Sequence, residues 1–478
     1  MKYILVIVSF LLSFGFAKAQ FTPLIQPAQP QKTIIHQFED DGLAHFSYAI
    51  LVGNQVILVD PGRNPQPYYD FAEKHGASIV GVVETHPHAD FVSSHLQIHH
   101  EKGATIYISK LAEANYPHQT FDEGDIIDLG NGVTLRAMFT PGHSPDGISV
   151  VLSEDGKDMA VFTGDTLFIG DVGRPDLRES AGAIMMQRKE LARMMYYSTR
   201  KKLMKLDEDV VVYPAHGAGS LCGKAISDAK SSTIGQEKLT NYALQEMSEE
   251  AFMELLLQDQ PFIPQYFPYN VDLNKIGAPA YLDSKESVPV LADLNDIQEG
   301  TTIIDGRNQD IFKQSHLPEA INIMKGAKFE TWLGSLVSPQ ERYYLIAETQ
   351  ESLDELISKA AKIGYELLIA GAGIYTESNG NSMSFFNKDA FDANPDLFTI
   401  IDIRNEGEVA QHQVFANAIN IPLPELMQRI SEIPTDKPVV VHCGTGYRSA
   451  AGSSIIQNAL KDNKVIDMGA YIKEYNQK

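Results

Sequence analysis

Glu84-Thr85-His86-Pro87-His88-Ala89-Asp90-Phe91 follows the apolar run Ile79-Val80-Gly81-Val82-Val83. The β-branched run reads as a buried strand, and the alternating His, His and Asp beyond it read as a loop whose side chains converge. Two imidazoles and a carboxylate within five residues are ligand types for zinc, iron or manganese. The plain alternative is a solvated polar turn, and repetition elsewhere argues against it. Pro141-Gly142-His143 follows Val133 to Phe139, Thr163-Gly164-Asp165 follows Met159 to Phe162, and Tyr213-Pro214-Ala215-His216-Gly217 follows Val210 to Val212. Each is an apolar run ending in a Gly-bordered loop with one ligand-type residue, so a fold that aligns strand ends gathers them at one place.

At 478 residues the chain is long enough for about three domains. A net charge of −23 argues against a nucleic-acid partner and against anionic membranes. Met1-Lys2, the apolar stretch Tyr3 to Phe16 and Ala17-Lys18-Ala19 describe a secretory leader, residues 1–19, cleaved before Gln20. The mature protein is therefore expected to be exported, periplasmic or secreted. The two cysteines, Cys222 and Cys443, are too few for a disulfide framework, so stability must come from packing.

After a Pro/Gln-rich lead-in from Phe21 to Lys32, Phe46–Val52, a Gly53-Asn54 turn and Val56–Asp60 read as a β-hairpin. Helices are expected over Pro67–His75, Ser94–Lys102, Ala181–Leu206 and Ser227–Leu257. Three prolines between Pro261 and Pro268 predict that the aromatic segment there runs extended. An internal repeat follows. Ile303-Ile304-Asp305-Gly306-Arg307-Asn308 is echoed by Ile400-Ile401-Asp402-Ile403-Arg404-Asn405, and Glu319-Ala320-Ile321-Asn322-Ile323 by Asn417-Ala418-Ile419-Asn420-Ile421. The copies also share the Gly-Ala pairs Gly371-Ala372 and Gly469-Ala470 as their expected ends. Alternating strands and helices make each copy a small doubly wound α/β module.

The second copy opens a strand into His442-Cys443-Gly444-Thr445-Gly446-Tyr447-Arg448-Ser449. A Gly-rich loop before a helix points backbone N–H groups at one spot, and with Arg448 this favours a thiolate and an anionic partner. The first copy has Ala347-Glu348-Thr349-Gln350-Glu351-Ser352 in that place and carries no nucleophile.

The metal pattern resembles the metallo-β-lactamase superfamily, whose His-x-His-x-Asp-His loop is matched by His86, His88 and Asp90 with Phe91 at the last position. Dinuclear members, such as glyoxalase II, hold a second metal with that last histidine. A phenyl ring cannot ligate, so the resemblance implies one metal, with Asp90, His216 and a shared Asp165 the remainder of a second site. The persulfide dioxygenases of this superfamily are the better likeness, supported by Gly164 to Leu177 and His216 to Lys224. Their likeness puts Fe(II), one per chain, on His86, His143 and Asp165, with His88, Asp90 and His216 beside it as orienting groups or alternative ligands; zinc is the alternative metal. The repeat resembles the rhodanese fold, with Cys443 and Arg448 in its catalytic loop.

The implied fold class is α/β (α+β): an αββα sandwich over residues 20–280, then two rhodanese-like modules over residues 287–380 and 384–478. The implied activity is dioxygenation of a low-molecular-weight thiol persulfide to sulfite, with sulfur transfer at Cys443 giving thiosulfate. Persulfide, dioxygen and sulfite are then the partners, and a homo-oligomer stays open. A glyoxalase II-like zinc thioester hydrolase is the competing reading. Cys222 reads either as a small apolar filler or as a sulfur-relay thiol, and Arg174 either as a substrate-carboxylate fork or as a structural ion pair. His95, His99, His100 and His118 are expected at the surface.

Overall fold

The computed structural model describes residues 33–179 and 187–476, so the leader, the lead-in and the start of the Ala181–Leu206 stretch lie outside the described residues. The first sheet runs in order through β1 (Thr33–Asp40), β2 (His45–Val52), β3 (Gln55–Val59), β4 (Ser78–Val83), β5 (Thr105–Ile108) and β6 (Gln119–Thr120). The expected hairpin is β2–β3, with Tyr48 paired to Val59 and Val52 to Gln55. Helices α1 (Gln66–Lys74) and α2 (His95–Lys102) cover one face of this sheet through Tyr68, Phe71 and Ile98.

The second sheet contains β7 (Ile126–Gly130), β8 (Val133–Phe139), β9 (Ile148–Glu154) and β10 (Lys157–Gly164). A short hairpin of β11 (Leu167–Phe168) and β12 (Asp171–Val172) and helix α3 (Arg188–Tyr197) precede β13 (Val211–Pro214) and β14 (Ser232–Thr233). The strand order is β14-β13-β10-β9-β8-β7. Tyr48, Ile50 and Val59 of one sheet pack against Leu135, Val150 and Phe162 of the other, which makes the two sheets a sandwich. Helices α3, α4 (Ile234–Thr240) and α5 (Glu249–Leu257) cover the second sheet with Met195, Ile234 and Phe252. The layers are αββα, as expected.

Two expected helices are shorter than their polar–apolar pattern. α3 ends at Tyr197, where Ser198 Oγ donates to the Pro141 carbonyl and Thr199 Oγ1 back-bonds to Met195 O, widening the following turn. Ser227–Leu257 is not one helix: Thr233 and Ser248 each accept a backbone N–H and start new ones. The proline segment is extended only to its middle. Pro268 sits in the first turn of α6 (Phe267–Ile276), where its missing N–H costs no helical bond, and α7 (Tyr281–Glu286) follows.

The first repeat contains β15 (Thr302–Asp305), α8 (Gln309–Gln314), β16 (Ala320–Asn322), α9 (Phe329–Leu336), β17 (Tyr343–Ala347), α10 (Gln350–Ala361) and β18 (Ile369–Ile374). The second has β19 (Ser384–Phe385), α11 (Lys388–Ala393), β20 (Thr399–Asp402), α12 (Glu406–Gln411), β21 (Ile419–Asn420), α13 (Leu426–Arg429), β22 (Val439–His442), α14 (Tyr447–Ala459) and β23 (Val465–Asp467). The sheet orders β16-β15-β17-β18 and β21-β20-β22-β23-β19 are the same order with one added edge strand, and every pairing is parallel. Even the side-chain locks repeat. Arg307 grips Asp305 and Arg404 grips Asp402, each with a 2.6 Å bond from Nη2. Asn322 and Asn420 each donate to both backbone carbonyls of the local Asp and Arg. The Gly-Ala pairs are not equivalent, however: Gly371-Ala372 lies inside β18, whereas Gly469-Ala470 lies beyond β23.

Candidate metal centre and cysteine loop

The histidine loop is held from below by Asp60, which accepts bonds from Thr85 N (2.7 Å) and Thr85 Oγ1 (2.9 Å). Asp60 also lies 3.2 Å from His88 Nε2. Parallel pairing of β10 and β13 sets Gly164 against Pro214, so the residues just past these strand ends, Asp165 and His216, fall side by side. His143 arrives from the end of β8. Two close approaches need glycine: a Cβ on Gly164 (φ +50°) would sit 2.6 Å from Thr85 Oγ1, and one on Gly173 would sit 1.9 Å from the Asp165 carbonyl.

His143 Nε2 lies 3.3 Å and His86 Nε2 4.0 Å from Asp165 Oδ2. Donor atoms of His86, His88 and Asp165 lie within 4.8 Å of one another, and so do those of His143, Asp165 and Cys222, so Asp165 is shared by two groups that could hold an ion. His86 Nε2, both ring nitrogens of His88, Asp90 Oδ1, Asp165 Oδ2 and His216 Nε2 are buried with no hydrogen-bond partner, as atoms meant for a metal would be. The opposite ring nitrogens are tied down: His143 Nδ1 to the Arg174 carbonyl at 2.9 Å and His86 Nδ1 to Thr85 Oγ1 at 3.1 Å. Burial, joined for His86 by the charge of His88, holds both imidazoles below their ordinary pKa and therefore neutral. Burial pushes the Asp165 carboxyl up, but His216 and His143 outweigh it and keep it ionised well below its usual range. Two neutral histidines and a carboxylate are the protonation state a metal requires.

His216 is engaged differently. Its Nδ1 lies 2.8 Å from Asp165 Oδ1 and its Nε2 2.7 Å from Asp90 Oδ2. Burial opposes its charge, yet Asp165 and Asp90 outweigh it and hold its pKa above the ordinary value. Cys222 Sγ falls within 4.8 Å of donor atoms of Asp90 and His216, and likewise of His143 and Asp165. Burial, then Asp90 and Asp165, push its thiol well above the ordinary pKa. Phe91 fills the place beside this group, its ring 3.8 Å from that of His45 and 4.3 Å from that of His88.

Cys443 lies at the end of β22, fully buried, and its Sγ accepts the Gly446 N–H at 3.2 Å. Arg448, in the first turn of α14, is gripped by Glu408 through two 2.6 Å bonds. In the first repeat Asp305 pairs with Ile346 where Asp402 pairs with His442 in the second, so Ala347 occupies the position of Cys443. Both cysteines are free.

The metallo-beta-lactamase superfamily model matches residues 40–216, and the rhodanese-like domain model matches residues 387–475. The chain carries a metallo-beta-lactamase domain followed by a rhodanese-like domain. Over 234 residues it is 28% identical to the mitochondrial persulfide dioxygenase ETHE1 of Bos taurus, covering 48% of this chain and 83% of that protein. It is 26% identical to a hydroxyacylglutathione hydrolase of Francisella tularensis subsp. novicida, covering 47% and 80%. A crystal structure of a metallo-beta-lactamase from Staphylococcus aureus is 29% identical, covers 72% of this chain and 99% of that one, and has a TM-score of 0.64. The metallo-beta-lactamase domain thus supplies a metal-binding His/Asp site.

Several residues at these sites carry no sequence signal. Asn274 of α6 donates to the carbonyls of His88 (2.9 Å) and Phe91 (2.7 Å) and accepts Ser93 N–H at 2.8 Å, so a residue far along the chain shapes the metal loop. His45 is buried against His88, Phe91 and His216, and burial with His216 and His88 lowers its pKa to about 3. His95, expected at the surface, is 1% exposed, 3.5 Å from Glu84 and packed on Tyr116; its place on the inner face of α2 explains the difference. The Arg174 fork is occupied by Asp176 at 2.6 and 2.7 Å and by the carbonyls of Leu221 and Phe262. Among the described residues no helix is long and apolar enough to cross a membrane.

Proposed function

We propose that the chain is a persulfide dioxygenase coupled to a sulfurtransferase. In the first reaction a low-molecular-weight persulfide, dioxygen and water give sulfite and the free thiol. In the second, the Cys443 thiolate takes the outer sulfur of another persulfide, releasing the thiolate of the carrier, and passes that sulfur to sulfite as thiosulfate. The reading rests on one observation: His86 and His143 both approach Asp165 Oδ2, at 4.0 and 3.3 Å, while a phenyl ring, Phe91, packs on His88 at the end of the same loop. The likeness to ETHE1 and the rhodanese-like domain support it.

His86, His143 and Asp165 would hold Fe(II), and iron on two histidines and one carboxylate keeps open positions for dioxygen and a substrate sulfur. The other residues prepare that site. The Arg174 carbonyl and Thr85 fix the ring tautomers, and Asp176 fixes Arg174, which we assign a positioning role. His216, between Asp90 and Asp165, orients both carboxylates next to the site. Phe91, Phe168 and Leu43, in one apolar cluster with Cys222, exclude water.

Anaerobic purification with metal quantification, followed by an oxygen-electrode trace on adding glutathione persulfide, tests the reading. One iron per chain and oxygen uptake are expected. Zinc, no uptake and turnover of a glutathione thioester would instead make the metallo-beta-lactamase domain a hydrolase, the activity named for the Francisella relative.

A further inference from the structure

A cavity of about 440 Å³ lies where three parts of the chain meet. Gly219 and Leu221 form one wall and belong to the loop that runs from His216 to Cys222. Thr445, Tyr447 and Arg448 form the opposite wall and belong to the Cys443 loop. Lys325, Lys328 and Trp332 of the first repeat make the floor, with Phe262 stacked on Trp332 at 5.5 Å. Among the described residues three cations and no carboxylate line it, in a chain whose net charge is −23. Lys325 and Arg448 face carboxylates outside the lining, Glu355 and Glu408. Lys328 is half-buried, its hydrogen bond runs to the Gly219 carbonyl at 2.9 Å, and no ion pair is formed by it among the described residues. The Arg448 guanidinium also stands 5.9 Å over the Trp332 ring. A cationic, aromatic-walled cavity of this size suits a small anionic molecule with an apolar body.

We propose that this cavity binds the carrier thiol, and that the carrier is an anionic low-molecular-weight thiol whose carboxylates or phosphates meet Lys328, Lys325 and Arg448. The inference rests on the sulfur-transfer reading above and deepens it by naming the substrate class. Bound there, the carrier persulfide lies against the Cys443 loop. As the Cys443 Sγ–S bond forms and the carrier S–S bond breaks, the electron pair leaves with the carrier thiolate, next to the same cations, and no net oxidation occurs. The lining also takes in Gly219 and Leu221 of the loop that leads to Cys222, so one chamber touches the loops of both cysteines.

Trp332 is the sole tryptophan of the chain, so its fluorescence reports occupancy without any turnover. The iron-loaded full chain is titrated with glutathione, with coenzyme A and with neutral 2-mercaptoethanol. A saturable change with at least one anionic thiol is expected, with a midpoint raised at least tenfold by Lys328→Glu and several-fold by Lys328→Ala. The anionic thiol that saturates identifies carboxylate or phosphate recognition, and 2-mercaptoethanol is expected to give no saturation. No saturable change with either anionic thiol, saturation by 2-mercaptoethanol at a similar midpoint, or a midpoint within twofold in a folded Lys328→Glu or Lys328→Ala chain, checked by circular dichroism, overturns the proposal. Saturation without any sulfur transfer sinks the transferase reading and leaves the chamber standing, so the two failures are distinguishable.

Discussion

Asp60 has a left-handed backbone, φ +49°, which a carboxylate residue tolerates better than a bulky one because its short side chain bonds locally. Here the bonds go to Thr85 and His88, and so the strand-end aspartate aims the metal loop. In the sequence Asp60 reads only as the end of a hairpin strand, and its partners are not legible there, because a sequence gives the order of residues and not the direction of their side chains. The same contrast separates Phe91 from Asn274. Phe91 is read from its position in a short motif, and its consequence is testable. Phe91→His supplies the missing imidazole beside Asp90 and His216, and metal analysis of the purified variant should move from about one ion per chain toward two; an unchanged ratio would show that position 91 does not set the metal count. Asn274 has no motif, since its partners lie more than 180 residues earlier. Asn274→Ala leaves two buried carbonyls and the Ser93 N–H without their partner, and a loss of about 2–4 kcal/mol is expected from urea denaturation. A parallel fall in metal retention on dialysis against a chelator is expected, because the loop carrying His86 loses its clamp.

At the scale of elements, the β11–β12 hairpin turns the chain back so that the Arg174 carbonyl reaches His143. The run from Gly164 to Leu177 was recognisable as a block, but why Gly173 stands in it emerges only from the close approach to Asp165 and the His143 side chain. Gly173→Ala places a methyl into that contact; the strain of overpacking, about 1–3 kcal/mol, is expected to lower the midpoint of thermal unfolding and to weaken metal binding in the same variant. The repeat was legible because its locks are local: Asp305 with Arg307 and Asp402 with Arg404 are two residues apart and recur as a pattern. The single helix expected over Ser227–Leu257 is instead broken, because the capping residues Thr233 and Ser248 override its apolar periodicity. In the rhodanese-like domain the loop and helix α14 act together with α12 through Glu408 and Arg448. Burial raises the Glu408 pKa, but the Arg448 hydrogen bond and charge outweigh it, so the folded value lies below the ordinary 4.5. A depressed carboxylate contributes stability above its unfolded pKa and loses it as pH falls through the folded one. Acid titration of thermal stability should therefore show a decline below about pH 4.5 that Glu408→Gln makes shallower; an identical profile in the variant would remove Glu408 as its source.

Across the whole molecule, one apolar cluster runs from Phe91 and Cys222 through Tyr266, just before α6, and Phe267, its first residue, through the first repeat, to Cys443. The first repeat, with Ala347 at the position of Cys443, packs between the other two parts. Lys362 joins Asp40 and Glu330, Val92 N donates to the Lys362 carbonyl, and Arg63 meets Glu366 at 2.9 Å with both side chains buried. Nothing in the sequence announces the last pair, since its members stand 303 positions apart and each reads alone as a surface charge. It makes docking of the repeat onto the metallo-beta-lactamase domain measurable. Glu366→Ala leaves Arg63 buried without its carboxylate, which costs about 3–5 kcal/mol, whereas replacing both charges by apolar residues of similar volume, Arg63→Met with Glu366→Leu, is close to neutral. Because Trp332 lies in the first repeat, guanidinium unfolding followed by its fluorescence reports the unfolding of that repeat. The single variant is expected to unfold at lower denaturant and the double variant near the wild-type midpoint. If both variants keep the wild-type midpoint, the pair does not hold the domains together; if both lose it equally, the loss lies in packing and not in the unpaired charge. A chamber whose walls come from three parts of the chain requires that docking to be stable, so the single variant should also weaken the fluorescence response to an anionic thiol, and the double variant should restore it.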